Sequence, residues 1–412
     1  MNESQVDVIQ LQKRDPQAWT VLLSEQEGLD DVVVTAVVAQ PLQSGVNDSM
    51  DRRLTRYLVS LANHSDPIPF IGKKTTAIEA LFYRELAHEA ADLTPRCWYT
   101  HLSDKEGWII LDDVPNHVVQ EDWQSADVEN IIGRMAMLHT TFWNQPDFYR
   151  QFGWVPHFIG HKQKRYSLDE LKHEQAIWFE RGPGALLSDH ALLHLGRFTS
   201  KFLEAANGLA VMKALGGWPG VLSETHLAAA ADLIDDPVPV LEPLKQLPLT
   251  LTHGRMHSGH WRMTLFEDHR LLDWQHVTRA PGICDLVHFQ EKFDLIHNNS
   301  DRSLIQIRSY SPVTEETLID SYMLAMKKQL GNLFDARQMR LAIPAARCLH
   351  VLTHWFPLFA SWFDKMPNQY LWQRYNRMSQ QELVGRALSP MSAYRPYLRV
   401  VFQRFLRAYR ML

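Results

Sequence analysis

The segment Leu251–Phe289, LTHGRMHSGHWRMTLFEDHRLLDWQHVTRAPGICDLVHF, constrains the fold more than any other part of the chain. An apolar run enters a turn at His253–Gly254, and a polar loop follows with His257 and His260. A hairpin comes next, and its second strand ends at Asp273–Trp274. Polar residues at strand ends and in the adjoining loop can converge on one point, which is how a scaffold presents chemistry. Helical periodicity flanks this β insert on both sides.

The rest of the pattern divides in two. Asp31–Ala39 and Arg56–Leu61 read as strands. Ile78, Leu81, Phe82 and Leu86 have helical spacing, and Thr76 with Glu79 is placed as a capping box. Cys97–Leu102 and Trp108–Leu111 read as two further strands. Beyond Asp113 helices dominate, at Ala126–Trp143, Leu168–Phe179, Ala191–Ala206 and Leu227–Ile234, and again from Glu315 to the end. The expected organisation is a β-rich unit over 1–113, with five strands and one helix, and a helical unit over 114–412 that carries a hairpin at 250–275. Leu349–Phe363 is the most apolar stretch, but His350, His354 and Pro357 interrupt it. It predicts a buried, kinked helix and no transmembrane segment.

Composition sets the class. Of 412 residues, 45% are hydrophobic and 22% charged, which excludes a disordered or collagen-like chain. The length favours two or three units. A formal net charge of −5 argues against nucleic acid as the main partner. The three cysteines, Cys97, Cys284 and Cys348, are far apart and predict a reducing compartment without a cysteine metal site. The first residues lack a basic segment followed by an apolar run, so the expected location is cytoplasmic, without a signal peptide. The charge is uneven: Leu371–Leu412 holds eight arginines and one acid, Glu382. There Leu398, Val401, Phe402, Phe405, Leu406 and Tyr409 form an apolar stripe with arginines beside it. The expectation is a docked helix with a basic solvent face; contact with an acidic partner or a membrane surface is the alternative.

The motifs LTHGRMHSGH, LLDWQ, APG and Asp285 resemble, in that order, the catalytic loop and metal-binding strand of the aminoglycoside phosphotransferase and choline kinase-like family, including its ecdysteroid-kinase-like branch. That family writes LxHGDxHxxN, then LLDWQ, then a GPG turn and an Asp. IEALFYREL resembles the family's first helix, TPRCWY the strand after it, ILDDV the hinge, and MAMLHTTFW a later helix. The resemblance implies an α+β, two-lobed protein-kinase-like fold with a small β-rich lobe and a large, mainly helical one. It also implies ATP and Mg2+ as cofactors and a small molecule as the other ligand. Among site residues it implies Glu79 as partner of a strand lysine, Asp112 at the nucleotide-binding hinge, and Asp273 as a metal ligand. Asp285 would brace the loop, and His253 would buttress it or take a catalytic part.

The departures fall on the chemistry. Arg255 stands where the family has its base Asp, and a guanidinium has no acceptor and stays protonated. His260 stands where the family has a metal-binding Asn, and imidazole suits transition metals better than Mg2+. Aligning RYLVSL with the family's lysine strand puts Ser60 at the lysine position. The phosphate loop is poor, with only Gly45 in QPLQSGVND. These changes predict weakened or lost ATP and Mg2+ binding and a pseudokinase-like, small-molecule-binding protein. An active phosphotransferase with non-standard catalytic residues is the alternative. Arg255 has three readings: it binds an anion, it pairs with Asp273 in place of a metal, or it has drifted. His253, His257 and His260 share helical spacing, but Gly254 and Gly259 disfavour a transition-metal site. Lys73–Lys74–Thr75 fails as a P-loop ending and reads as solvated, with one lysine standing in for the absent strand lysine as the alternative.

Overall fold

The computed structural model describes residues 7–25, 32–43, 50–103, 106–114, 118, 122–158, 167–170, 172–173, 187–195, 199–264, 269–293, 295–297, 305–307, 314–363, 369–379, 382 and 389–412. Contacts divide the chain into two compact units, Met1–Gln124 with Ser258–Val277, and Ser125–His257 with Thr278–Leu412. The hairpin of the site-bearing segment therefore sits with the first unit, while the loop before it sits with the second.

The first unit is built on a five-stranded antiparallel sheet of β1 (Val34–Gln43), β2 (Met50–Leu61), β3 (Ile68–Thr76), β4 (Cys97–Leu102) and β5 (Glu106–Asp112), in the order β1-β2-β3-β5-β4. β3 is the strand that the pattern hid. Its alternation is sound, with Phe70 and Gly72 buried on one face, but Pro69, Gly72 and two lysines mask it. Two short helices, α1 (Val8–Gln12) and α2 (Pro16–Ser24), cover that face and were not legible as helices. Trp19 of α2 is fully buried against Tyr57 and Phe70, with its indole N–H donating to the Leu11 carbonyl at 3.1 Å. Residues one step along β3 point to the other face, where α3 (Ala77–Glu85) lies. Gly45 lies outside the described residues.

The hairpin β7 (Trp261–Met263) and β8 (His269–Leu271) is fastened to this unit. The Leu271 amide donates to the Leu93 carbonyl at 2.6 Å. Trp274 stacks on Phe82 of α3 with ring centroids 4.1 Å apart.

The second unit is helical around a small strand pair, β6 (Thr250–Thr252) and β9 (Thr278–Ala280). α4 (Ser125–Thr141) packs on β6 and on the helix Glu315–Leu330. Of the expected helix Leu168–Phe179, only 168–170 and 172–173 are described. The expected helix Ala191–Ala206 resolves into Asp189–Leu195 and Thr199–Ala214. The kink foreseen near Pro357 takes the form of a π turn, Val351–Trp355, leading into Phe356–Phe363. Proline has no N–H to donate and its ring crowds the carbonyl four residues back, and the wider turn relieves both. No described helix is long and apolar enough to cross a membrane.

The C-terminal helix Ser389–Tyr409 uses its apolar stripe internally: Tyr397, Leu398, Val401, Phe402 and Phe405 are buried. Arg395 donates to the Pro219 and Asn376 carbonyls, and Arg404 pairs with Glu315. Arg399, Arg407 and Arg410 face solvent. Phe402→Ala is expected to cost about 3–5 kcal/mol, as for a large-to-small core change. Arg399→Ala should stay within about 0.5 kcal/mol. Urea melts of the two variants check this, and equal midpoints would contradict the docked helix.

Candidate functional site

In the first unit the decisive side chain is Glu79, fully buried at the start of α3. Thr76 caps the helix as expected, its hydroxyl accepting from the Glu79 amide at 3.3 Å. The Glu79 carboxylate turns away from the cap. It accepts from Lys73 Nζ (2.9 Å to Oε1), from the Thr75 hydroxyl, and from the Trp274 amide at 3.0 Å. A buried carboxylate needs this many donors to stay charged.

Lys73 Nζ also lies 2.5 Å from Asp273 Oδ1. The second Asp273 oxygen accepts from the Gln275 amide at 3.0 Å and faces His260 Nε2 at 3.3 Å. Asp273 has a left-handed backbone, φ 70°, which is uncommon for a residue with a side chain and is found at strained functional positions. Burial alone would push its carboxyl up, but the charges of Lys73 and His260 and the hydrogen bonds from Lys73 and Gln275 outweigh it. The carboxyl is held well below the usual range. Lys73 behaves in the complementary way. Burial would pull its ammonium down, and Glu79 and Asp273 leave it raised.

Several expectations are corrected here. The partner of Glu79 is a lysine of β3, and Ser60 is not part of that group. Ser60 lies on β2, paired with Ala36 and accepting from the Thr35 hydroxyl. Lys73 on β3, read as solvated, is the lysine that meets Glu79. The signal was available as the alternation Ile68, Phe70, Gly72, with Lys73 on the opposite face and Glu79 six residues on. The cation on Asp273, one role considered for Arg255, is Lys73. Asp112 ends β5, where it accepts from the Trp98 indole N–H at 2.6 Å.

In the second unit the loop after β6 is held by Asp285. Its carboxylate accepts from the His253 amide at 2.7 Å and from the Gly254 amide at 2.9 Å. Gly254 has φ 78°, which the turn requires and other residues rarely adopt. Asp285 is oriented by His139 of α4. Nε2 of that ring lies 3.3 Å from Oδ2, and Nδ1 is hydrogen-bonded to the Tyr322 hydroxyl at 2.8 Å. Gly282 lets this group form, because a Cβ there would meet His139 Nδ1 at 2.6 Å. His139 and Tyr322 were not singled out in the sequence, although MAMLHTTFW contains the first. His253 is fully buried and joins the brace through its backbone, while Arg255 is exposed.

Among the described residues, no group of three or more His, Cys, Asp or Glu is arranged to hold a metal by itself. Asp273 and His260 supply two donors on one side of the site. Both Asp273 oxygens are engaged, Oδ1 by Lys73 and Oδ2 by Gln275.

No family model matches the sequence. No curated protein sequence matches it either. Solved structures similar to the chain include a choline kinase from Cryptosporidium parvum Iowa II, at 11% identity and TM-score 0.44, covering 91% of this chain and 98% of that one. An amicoumacin kinase in complex with AMP-PNP and Ca2+ has 12% identity and TM-score 0.46, covering 88% and 89%. An aminoglycoside phosphotransferase from Alicyclobacillus acidocaldarius has 12% identity and TM-score 0.38, covering 87% and 90%.

The lowered Asp273 carboxyl has a signed consequence. Its contribution to stability is present above the ordinary carboxylate range and is lost as pH falls from that range through the depressed folded value. In Lys73→Met the largest stabilising charge is gone, so the acid-side loss of stability attributable to Asp273 should shrink. Chemical melts of wild type and variant between pH 6 and about 2 measure it. Parallel acid limbs would rule out the pairing.

Proposed function

We propose that this chain is a kinase-fold, nucleotide-binding protein of pseudokinase-like character, with a small molecule as its second ligand. The observation that carries the reading is the buried Lys73–Glu79 pair, with Asp273 against the same ammonium. A lysine fixed by a helix glutamate is a preorganised donor for nucleotide phosphates, and a neighbouring aspartate can share a divalent ion with them. When bound, such an ion would neutralise charge on the phosphates. Lys73 would then donate to phosphate oxygens while Glu79 keeps it in place.

The altered catalysis rests on Arg255. The loop that carries it is braced by Asp285, as a working loop needs to be, yet the side chain cannot take a proton from an acceptor hydroxyl. One feature favours a second reading, an active phosphotransferase acting on a small hydroxylated metabolite: the lysine, glutamate and aspartate are all in place. Positioning and electrostatics carry most phosphoryl transfer, and an arginine can stabilise the transferring group.

Calorimetry with AMP-PNP and a divalent metal tests the first reading. Wild type should bind, and Lys73→Met should bind about tenfold or more weakly, the loss of a charge-assisted hydrogen bond of about 1.5–3 kcal/mol. Absence of binding by wild type would sink the reading. Transfer of phosphate from ATP by wild type, lost in Arg255→Ala, would replace it with the second.

A further inference from the structure

The second unit gathers imidazoles behind the loop that carries Arg255. His257, two residues further on, has its ring centroid 6.1 Å from that of His288 on the helix Ile283–Phe293. His288 in turn lies 4.6 Å from His350 and 5.5 Å from His354. The rings of His350, just before the π turn Val351–Trp355, and of His354, within it, stack at 5.1 Å with 17° between their planes. A π turn is rare, and such turns are frequent at functional sites. Four imidazoles from three parts of the chain thus form one continuous group. His288 is buried, His257, His350 and His354 are partly exposed, and Arg255 is exposed on the same loop as His257.

The charge beside this group is mainly positive. The charge of Arg255 reaches Lys201 on the helix Thr199–Ala214, and that helix packs on the π turn. Glu204, three residues along the same helix, partly offsets Lys201. Two further acids are engaged within the unit. Glu291 Oε1 accepts from the Trp355 indole N–H at 2.8 Å and faces His350 Nε2 at 3.0 Å. Asp285 gives its two oxygens to the His253 and Gly254 amides. Imidazoles this close cannot all take up protons without a counter-charge, because neighbouring like charges oppose ionisation. An anion supplies that charge, and a guanidinium holds carboxylate or phosphate through paired N–H donors. A cationic ligand would instead meet Arg255 and Lys201 as like charges.

From this juxtaposition we infer that the second ligand carries an anionic group, a carboxylate or a phosphate, bound by Arg255 and by the imidazole group that begins at His257. The ligand is a small organic acid or phosphate ester and not an amine. The inference rests on the reading of a small-molecule ligand at this loop, and is independent of nucleotide binding at Lys73.

Calorimetry on the full chain, with and without saturating AMP-PNP and a divalent metal, uses glycerol 3-phosphate and gluconate as anionic probes and choline as the cationic one. At least one anionic probe should bind wild type in both conditions, and choline should not. Arg255→Gln and His257→Asn should each weaken that binding by about tenfold or more, equivalent to about 1.4 kcal/mol. Melting curves establish that both variants are folded. The second readout is proton–nitrogen NMR of the imidazoles, in which the bound anion should shift the His257 and His288 ring signals. Failure of both anionic probes to bind in either condition overturns the inference, as does preference for choline. Anion binding that survives both substitutions, that leaves the imidazole signals unmoved, or that AMP-PNP displaces also overturns it. Anion binding lost in Arg255→Gln, in a protein that does not bind AMP-PNP, upholds the inference and overturns the nucleotide reading instead.

Discussion

A carboxylate without solvent, Glu79, is the constraint on which the first unit depends. Desolvation of an unpaired charge costs several kcal/mol, so α3 can dock only if donors come with it. They come from three residues: Lys73 and Thr75 on β3, and Trp274, through its amide, at the end of the hairpin. One buried group thereby ties a strand, a helix and a segment nearly two hundred residues further along the sequence. Stacking of Trp274 on Phe82 adds the apolar part of the same junction.

The second unit solves a related problem with a different device. Two backbone amides at a tight turn, His253 and Gly254, converge on Asp285, and His139 and Tyr322 orient that acid from behind. Burial pushes the Tyr322 hydroxyl well up, and the charge of Asp285 adds to it, so the phenol remains a donor. The loop is thus held by its main chain, and the Arg255 side chain is left to the solvent side. The main-chain anchoring of this loop does not depend on which side chain stands at position 255.

Much of the fold was legible because its signals were local. The β-branched runs gave β1 and β2, and helical spacing gave α3, α4 and the C-terminal helix. The strand signals WRMTLF and RLLDW gave the hairpin. β3 was not legible, because a strand buried through Phe70 and Gly72 can carry lysines and a proline and still pair on both sides. That omission displaced the lysine position onto Ser60. Which residue would meet Asp273 was not in the sequence at all, since pairing between positions 73 and 273 is set by tertiary structure. The same holds for His139 behind Asp285. In contrast, the bracing role of Asp285 was expected, though only because the resemblance implies it; the amides it meets, His253 and Gly254, are set by tertiary structure.

The first unit is discontinuous, and this bears on how the protein is made. A ribosome releases Met1–Gln124 before it has begun Ser258–Val277, with Ser125–His257 synthesised in between. At roughly 5–20 residues per second the sheet and α3 wait on the order of ten seconds for Trp274 and Asp273. During that interval Glu79 lacks its backbone donor and Phe82 its stacking partner. The nascent sheet is therefore an incomplete body that closes only late in translation. Premature release before Trp274 would yield a fragment in which Phe82 lacks its stacking partner and Glu79 keeps Lys73 and Thr75 but lacks its backbone donor, a substrate for chaperones and proteases rather than a smaller working domain.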